Sequence, residues 1–194
     1  AAILDAALRV KAANPRALWC CDPVLGDDGP GIYVRAGIPE FFRDRALPAA
    51  DIATPNRFEL EWLTGGPIGT LAAARDAIAR LQAIGPRCVL ATSMRTEATP
   101  ADAVDLLAAE DGALWRVRTP LLPVRVSGAG DAIAALFLFH RLASGSARAA
   151  LERAAAAIHG VLRRTAEAGS REILLVAAQQ EIVTPSRHFV ADAC

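Results

Sequence analysis

The sequence predicts an α/β fold in one domain, residues 1–194, with helices covering both faces of a mainly parallel sheet. Two observations carry that expectation. Short apolar runs alternate with amphipathic stretches along the chain. The first of these runs, residues 17–21, stops at Asp22-Pro23, the pattern of a buried parallel strand with a polar residue at its C-terminal end. Open sheets of this class keep their ligands at that end of their strands. Only about three core strands are visible, which is few for such a sheet. The chain also opens at Ala1 inside an amphipathic pattern and has Met94 as its only methionine, so we expect part of the domain to lie upstream, with the N-terminal part missing.

Residues 2–13 put Ile3, Leu4, Ala7, Leu8 and Val10 near one face with Arg9 and Lys11 opposite, which is helical periodicity, and Asn14-Pro15 ends that helix. After the first strand, a Gly-rich acidic segment at 26–37 reads as a flexible loop. Residues 38–45 read as a helix, 52–54 as a second strand, and 56–63 as a helix closed by Gly65-Gly66. A long Ala-rich helix at 70–84 ends at Gly85-Pro86, and the strand at 88–92 follows. Glu110-Asp111-Gly112 separates 103–109 from 113–119, which suggests an antiparallel hairpin at an edge of the sheet. Beyond a loop at 120–130, residues 131–142 are apolar nearly all round, as in a helix buried at the centre of a domain. Residues 147–168 form a further helix and 174–176 a last short strand.

The charge is balanced, 21 Lys and Arg against 21 Asp and Glu, which excludes the broad basic field of a nucleic-acid binder. A 53% hydrophobic composition supplies a core. Its apolar runs are nevertheless broken by charge or Gly well before the roughly 20 residues that cross a bilayer. We therefore expect small-molecule partners, with no nucleic acid and no membrane. Cys20, Cys21, Cys88 and Cys194 have neither the density of a disulfide scaffold nor the paired spacing of a zinc site, which points to a reducing cytoplasm.

Three motifs carry chemistry. In Val126-Ser127-Gly128-Ala129-Gly130-Asp131, two glycines lead into the most apolar helix, so backbone amides and the positive end of the helix dipole can hold a phosphate. Asp131 then stands beside that phosphate, either as the acceptor of a proton from an attacking hydroxyl or simply as a stabiliser of the first helical turn. In Thr54-Pro55-Asn56-Arg57-Phe58-Glu59, Asn56 and Glu59 have capping-box spacing, and they also stand where they could orient magnesium-bound water. Asp22 and Asp27, in Asp22-Pro23-Val24-Leu25-Gly26-Asp27, either face one cation or form a solvated acidic turn.

Taken in order, Asp22 to Asp27, then Ala50-Asp51-Ile52-Ala53-Thr54-Pro55-Asn56 with Glu59, then Gly128-Ala129-Gly130-Asp131 resemble the pyridoxal kinases, and the similarity runs from residue 22 to residue 189. The resemblance implies a ribokinase-like three-layer α/β/α sandwich. It also implies ATP with Mg2+ and a monovalent cation, K+ or Na+, and transfer of the γ-phosphoryl to the 5′-hydroxymethyl group of pyridoxal, pyridoxine or pyridoxamine in B6 salvage. By this resemblance Asp131 is the base, and Gly128, Ala129 and Gly130 form the anion hole. Asn56 and Glu59 make the magnesium and phosphate network, and Asp22, Asp27 and Thr54 the cation and nucleotide-phosphate region. Thr92 and Ser93 match positions that contact ATP, and Thr119, Pro120, Leu121 and Leu122 lie over the nucleotide. Tyr33 faces the substrate in the family, although a lone loop Tyr is as readily a surface packing residue. A homodimer is implied as well.

The chain departs from the family at Ala129, where related kinases commonly carry Thr; the loss of one hydroxyl leaves the backbone amides in place. The family also has an N-terminal portion, before the point matching Ala1, that grips the pyridine ring. Two other readings stand beside this one. A hydroxymethylpyrimidine phosphate kinase of the same superfamily resembles Gly-x-Gly-Cys at the anion hole, where this chain has Asp131. A truncated, non-catalytic nucleotide-binding module would keep the ATP half alone.

Overall fold

Successive residues of a strand face opposite sides of a sheet, and a strand buried on both sides must be apolar throughout. The structure, a computed structural model describing residues 2–194, shows this in the sheet's longest parallel strand. The chain runs α1 (Ala2–Ala13), β1 (Cys20–Cys21), β2 (Gly26–Asp27), β3 (Gly31–Ile32), α2 (Ile38–Phe41), β4 (Ile52–Ala53), α3 (Arg57–Thr64), α4 (Leu71–Ile84), β5 (Cys88–Met94), β6 (Ala103–Glu110), β7 (Ala113–Pro120), α5 (Ala129–Ser144), α6 (Ala147–Glu167), α7 (Gln179–Val183) and β8 (Asp192–Ala193). In β5, Val89 and Ala91 join one core with Leu60, Leu63, Ile78 and Leu81 of α3 and α4. Cys88 and Leu90 join the other, with Ile133, Phe137, Leu151 and Ile158 of α5 and α6. Helices thus cover both faces, giving three layers.

The sheet order is β1-β4-β5-β6-β7-β8. β1, β4 and β5 are parallel, with Cys20 opposite Ile52 and Ile52 opposite Cys88. From β5 onward the neighbours are antiparallel, as the expected hairpin of β6 and β7 requires. The side of the sheet that ends in Asp22, Thr54 and Thr92 is therefore the parallel one. Lys11 ties α1 to the start of β4 through Asp51, Nζ to Oδ2 2.6 Å. Among the described residues, no helix is long and apolar enough to cross a membrane.

Three local expectations need correction. The segment at 26–37 is not a plain loop, because β2 and β3 pair as a hairpin with Gly26 opposite Ile32. Gly26 permits the pairing, since a Cβ there would lie 2.4 Å from the Gly31 carbonyl oxygen and 2.5 Å from the Phe58 ring. Residues 174–176 form a turn rather than a strand. Three apolar residues are too few to dictate extension, and here the Leu174 amide donates to Thr165 Oγ1 while its carbonyl accepts from Ala178. The outermost strand is β8 instead, and it was not read from the sequence; neither was α7. Finally, the helix expected at 38–45 is regular only over α2, and the chain then widens into a π turn over Phe42–Ala46 and tightens into a 3₁₀ turn over Leu47–Ala49.

Candidate active site

The C-terminal ends of β1, β4 and β5 bring three polar segments side by side. Asp22 follows β1, and the Thr54 hydroxyl, just past β4, donates to its Oδ1 at 2.9 Å. The Thr92 amide donates to the Pro55 carbonyl, and Asn56 bridges Thr92 in parallel register, so the third segment is fixed to the second. Register slips between Ala91 and Met94, and Ser93 has a left-handed φ of 54°, a conformation that costs energy and redirects the end of β5.

Asn56 caps α3 as its spacing predicted. Its side chain accepts from the Glu59 amide at 2.9 Å, and Glu59 Oε2 accepts from the Asn56 amide at 2.8 Å, the reciprocal pair of a capping box. Both side chains also reach outside the helix. Asn56 Nδ2 donates to the Gly26 carbonyl and Glu59 Oε1 accepts from the Leu25 amide, each at 2.9 Å, which anchors the β2–β3 hairpin to α3. Arg57 adds an ion pair to Asp28 at the hairpin's turn, Nη2 to Oδ2 2.7 Å, a latch not legible in the residue pattern.

Burial sets the electrostatics. Glu59 is buried, and desolvation pushes its carboxyl up to about 7 despite the two amides that favour the charged form. Burial also raises Asp22; the Thr54 hydroxyl opposes the rise and the charge of Asp131 adds to it. The half-exposed Tyr33 phenol is raised by partial burial first and then by Glu59, Asp27, Asp22 and Asp131. Four carboxylates from three motifs thus face the region of one tyrosine. Asp27 joins only through its charge, because its Oδ1 accepts from the adjacent Asp28 amide and it lies outside the Asp22–Thr54 pair. Among the described residues no three His, Cys, Asp or Glu side chains could enclose a metal alone. Magnesium bound with phosphates needs only one or two carboxylates; Asp22 and Glu59 are both raised first by burial and then by a neighbouring carboxylate, Asp131 for Asp22 and Asp22 for Glu59.

α5 begins at Ala129, with Gly128 as its N-cap at φ 88°. The first intrahelical bond runs from the Ala132 amide to the Gly128 carbonyl, so the amides of Ala129, Gly130 and Asp131 lie in the turn whose donors a helix leaves unpaired. Asp131 is exposed at this end. Ala129 and Gly130 open onto a cleft of about 250 Å³ together with Thr92 and Ser93, and Thr119, Pro120, Leu121 and Leu122 line it as well. Eight residues singled out in three separate stretches of sequence share this one space. Gly128 stands behind it, where a Cβ would meet Ile173 Cγ2 at 3.4 Å. The rest of the wall, Val104 and Leu106 from β6, Val124, Ile133 from α5, and Ala155, Ile158, His159 and Leu162 from α6, was not read from the sequence. Nothing in an apolar residue's identity says whether it faces a core or a cleft.

The chain is 60% identical, over its whole length, to a pyridoxal kinase PdxY of Granulibacter bethesdensis, of which it covers 69%. It belongs to the pyridoxal kinase family. A second pyridoxal kinase PdxY, from Rubrobacter xylanophilus, is 50% identical over 96% of the chain and 65% of the relative, so the chain spans about two thirds of the length of these pyridoxal kinases. Residues 2–175 match the wider family described as phosphomethylpyrimidine kinase. In three dimensions the chain resembles the pyridoxal kinase of Leishmania donovani in complex with ADP and pyridoxamine. The TM-score is 0.86 at 25% identity, over 99% of this chain and 69% of that one. The ribokinase-like expectation for the fold agrees with that likeness.

Proposed function

We propose that this chain forms the nucleotide-binding and phosphoryl-transfer part of a pyridoxal kinase, which uses ATP to phosphorylate the 5′-hydroxymethyl group of pyridoxal, pyridoxine or pyridoxamine. The observation that carries the reading is the cleft that joins the Ala129-Gly130 loop to Thr92, Ser93 and residues 119–122, with Asp131 next in the chain, in the first turn of α5. Phosphoryl transfer asks a protein chiefly for positioning and charge neutralisation. Asp131 accepts the proton of the attacking hydroxyl as its oxygen bonds to the γ-phosphorus. The bond from that phosphorus to the β-phosphate oxygen breaks, and ADP leaves. The amides of Ala129, Gly130 and Asp131, with Gly128 shaping their turn, hold the negative charge of the phosphoryl group in transit.

Asp22, Asp27, Thr54 and Glu59 would hold Mg2+, and K+ or Na+, with Asn56 ordering the phosphates. Magnesium, when bound, neutralises charge on the phosphate oxygens. Tyr33 stands on the hairpin side, over the vitamer. The same reading includes a homodimer in the cytoplasm, for which light scattering on the purified chain tests the dimer. Asp131 argues against a hydroxymethylpyrimidine phosphate kinase, which resembles Gly-x-Gly-Cys at this loop.

The test is formation of pyridoxal 5′-phosphate by the purified 194-residue chain from ATP, Mg2+ and pyridoxal, with circular dichroism confirming the fold and calorimetry following ATP binding. Product above background supports the full reading. A folded chain that binds ATP without turning it over holds the nucleotide part alone, as a non-catalytic module would. A folded chain that binds no ATP refutes the proposal.

A further inference from the structure

Thr165 is fully buried in α6 and does not line the cleft, yet its hydroxyl serves two segments. It donates to the Val161 carbonyl at 2.8 Å, the back-bond a helical threonine can make to the turn before it. It also accepts from the Leu174 amide at 3.1 Å. Helix geometry does not account for this second bond, because Leu174 lies beyond the end of α6, in the stretch that returns to the start of α5. There Glu172 bridges Ser127 in parallel register, and Ile173 Cγ2 lies 3.4 Å from where a Cβ on Gly128 would stand. The Ser170 amide donates to the Thr165 carbonyl at 3.2 Å, and the Ser170 hydroxyl donates to the Glu172 carbonyl at 2.7 Å. Residues 170–174 are thus fastened at both ends to Thr165, and between those ends they meet the Ser127-Gly128 turn.

That turn has little fastening of its own. Gly128 is the N-cap of α5 at φ 88°, and no side chain caps the helix. Glycine backbone is loose unless its surroundings hold it, whereas groups that bind a ligand must be aimed to within about 0.5 Å. We propose that Thr165 is a positioning residue for phosphate binding: its hydroxyl, through the Leu174 amide, holds Glu172 and Ile173 against Ser127 and Gly128 and so aims the amides of Ala129, Gly130 and Asp131. The inference rests on reading those amides as the phosphate-binding turn.

The unmodified chain, Thr165→Val and Thr165→Ser are compared well below their melting temperatures. NMR follows the Gly128 and Gly130 amide signals, and calorimetry follows binding of ATP with Mg2+. Thr165→Val keeps the shape of the side chain and removes the hydroxyl, whereas Thr165→Ser keeps the hydroxyl and removes a buried methyl. Thr165→Val displaces both glycine signals and raises the Kd for ATP roughly 5- to 30-fold. Thr165→Ser melts lower but leaves the signals and the affinity in place. If Thr165→Val keeps either the glycine signals or the ATP affinity of the unmodified chain, the hydroxyl is structural only and the inference is overturned. An equal loss in both variants overturns it too, because packing rather than the hydroxyl would then decide. Where Thr165→Val does not fold, Ile173→Ala reads the same path from its other end. It displaces the glycine signals and weakens ATP binding, and no change in either overturns the inference. If the unmodified chain binds no ATP, the phosphate reading falls and the inference falls with it.

Discussion

The Glu59 carboxylate accepts two backbone amides, yet its burial outweighs them and the group titrates at about 7 instead of near 4.5. The unfolded chain releases that proton near 4.5, so between those values the folded state holds more protons. Glu59's contribution to stability therefore falls as pH rises across that window, by about 3 kcal/mol at most. On this account the nucleotide-free protein loses stability from about pH 5 to about pH 8, and Mg2+ with ATP restores it; thermal melts at both values, with and without the ligands, measure the effect. Because only the ionised carboxylate attracts a cation, affinity for Mg2+ with ATP should rise with pH through about 7, and Glu59→Gln should flatten that rise. Asp131 makes a separable prediction. Asp131→Asn should lower the rate of pyridoxal 5′-phosphate formation roughly 10²- to 10⁴-fold, the usual worth of a positioned general base, with ATP affinity little changed. Full turnover in that variant would remove Asp131 from the role of base.

Two elements, α3 and the start of α5, each do double duty. The Asn56 side chain caps α3 and also holds the hairpin through the Gly26 carbonyl, so Asn56→Ala should cost about 1–2 kcal/mol. It should also speed amide exchange in residues 26–32 while α5 keeps its protection, a contrast hydrogen exchange can read. A cap that served α3 alone would leave the hairpin's exchange unchanged. At α5, Gly128 has a φ of 88° and Ile173 close by. Gly128→Ala should cost about 1 kcal/mol and weaken ATP binding by distorting the amide turn, measurable by calorimetry. Legibility at this scale followed local signals. α1, α4 and the β6–β7 hairpin were readable because periodicity, caps and the Glu110-Asp111-Gly112 turn lie within each segment. The β2–β3 hairpin was not, since its pairing depends on Asn56 and Glu59, some thirty residues away.

At the scale of the whole molecule, the sheet lies between two cores that share no side chains. Phe137 is fully buried in the one beneath α5 and α6, so Phe137→Ala should destabilise the protein by about 3–5 kcal/mol in denaturant unfolding. Since α5 and α6 also wall the cleft, ATP affinity should fall in the same variant. The α/β class, the order of the motifs and the residues at strand and helix ends were legible in the sequence, because capping, glycine turns and strand-end polarity are written within a few residues of one another. It named Asp22, Thr54, Asn56, Glu59 and the Gly128–Asp131 turn, but not which of them meet. Long-range packing brought four carboxylates into the surroundings of Tyr33, made β8 rather than residues 174–176 extend the sheet, and put Leu106, Ile158 and His159 in the wall of a cleft. Burial, with the pKa shifts it causes, depends on which distant surfaces are packed together, and residue identity alone does not specify that packing.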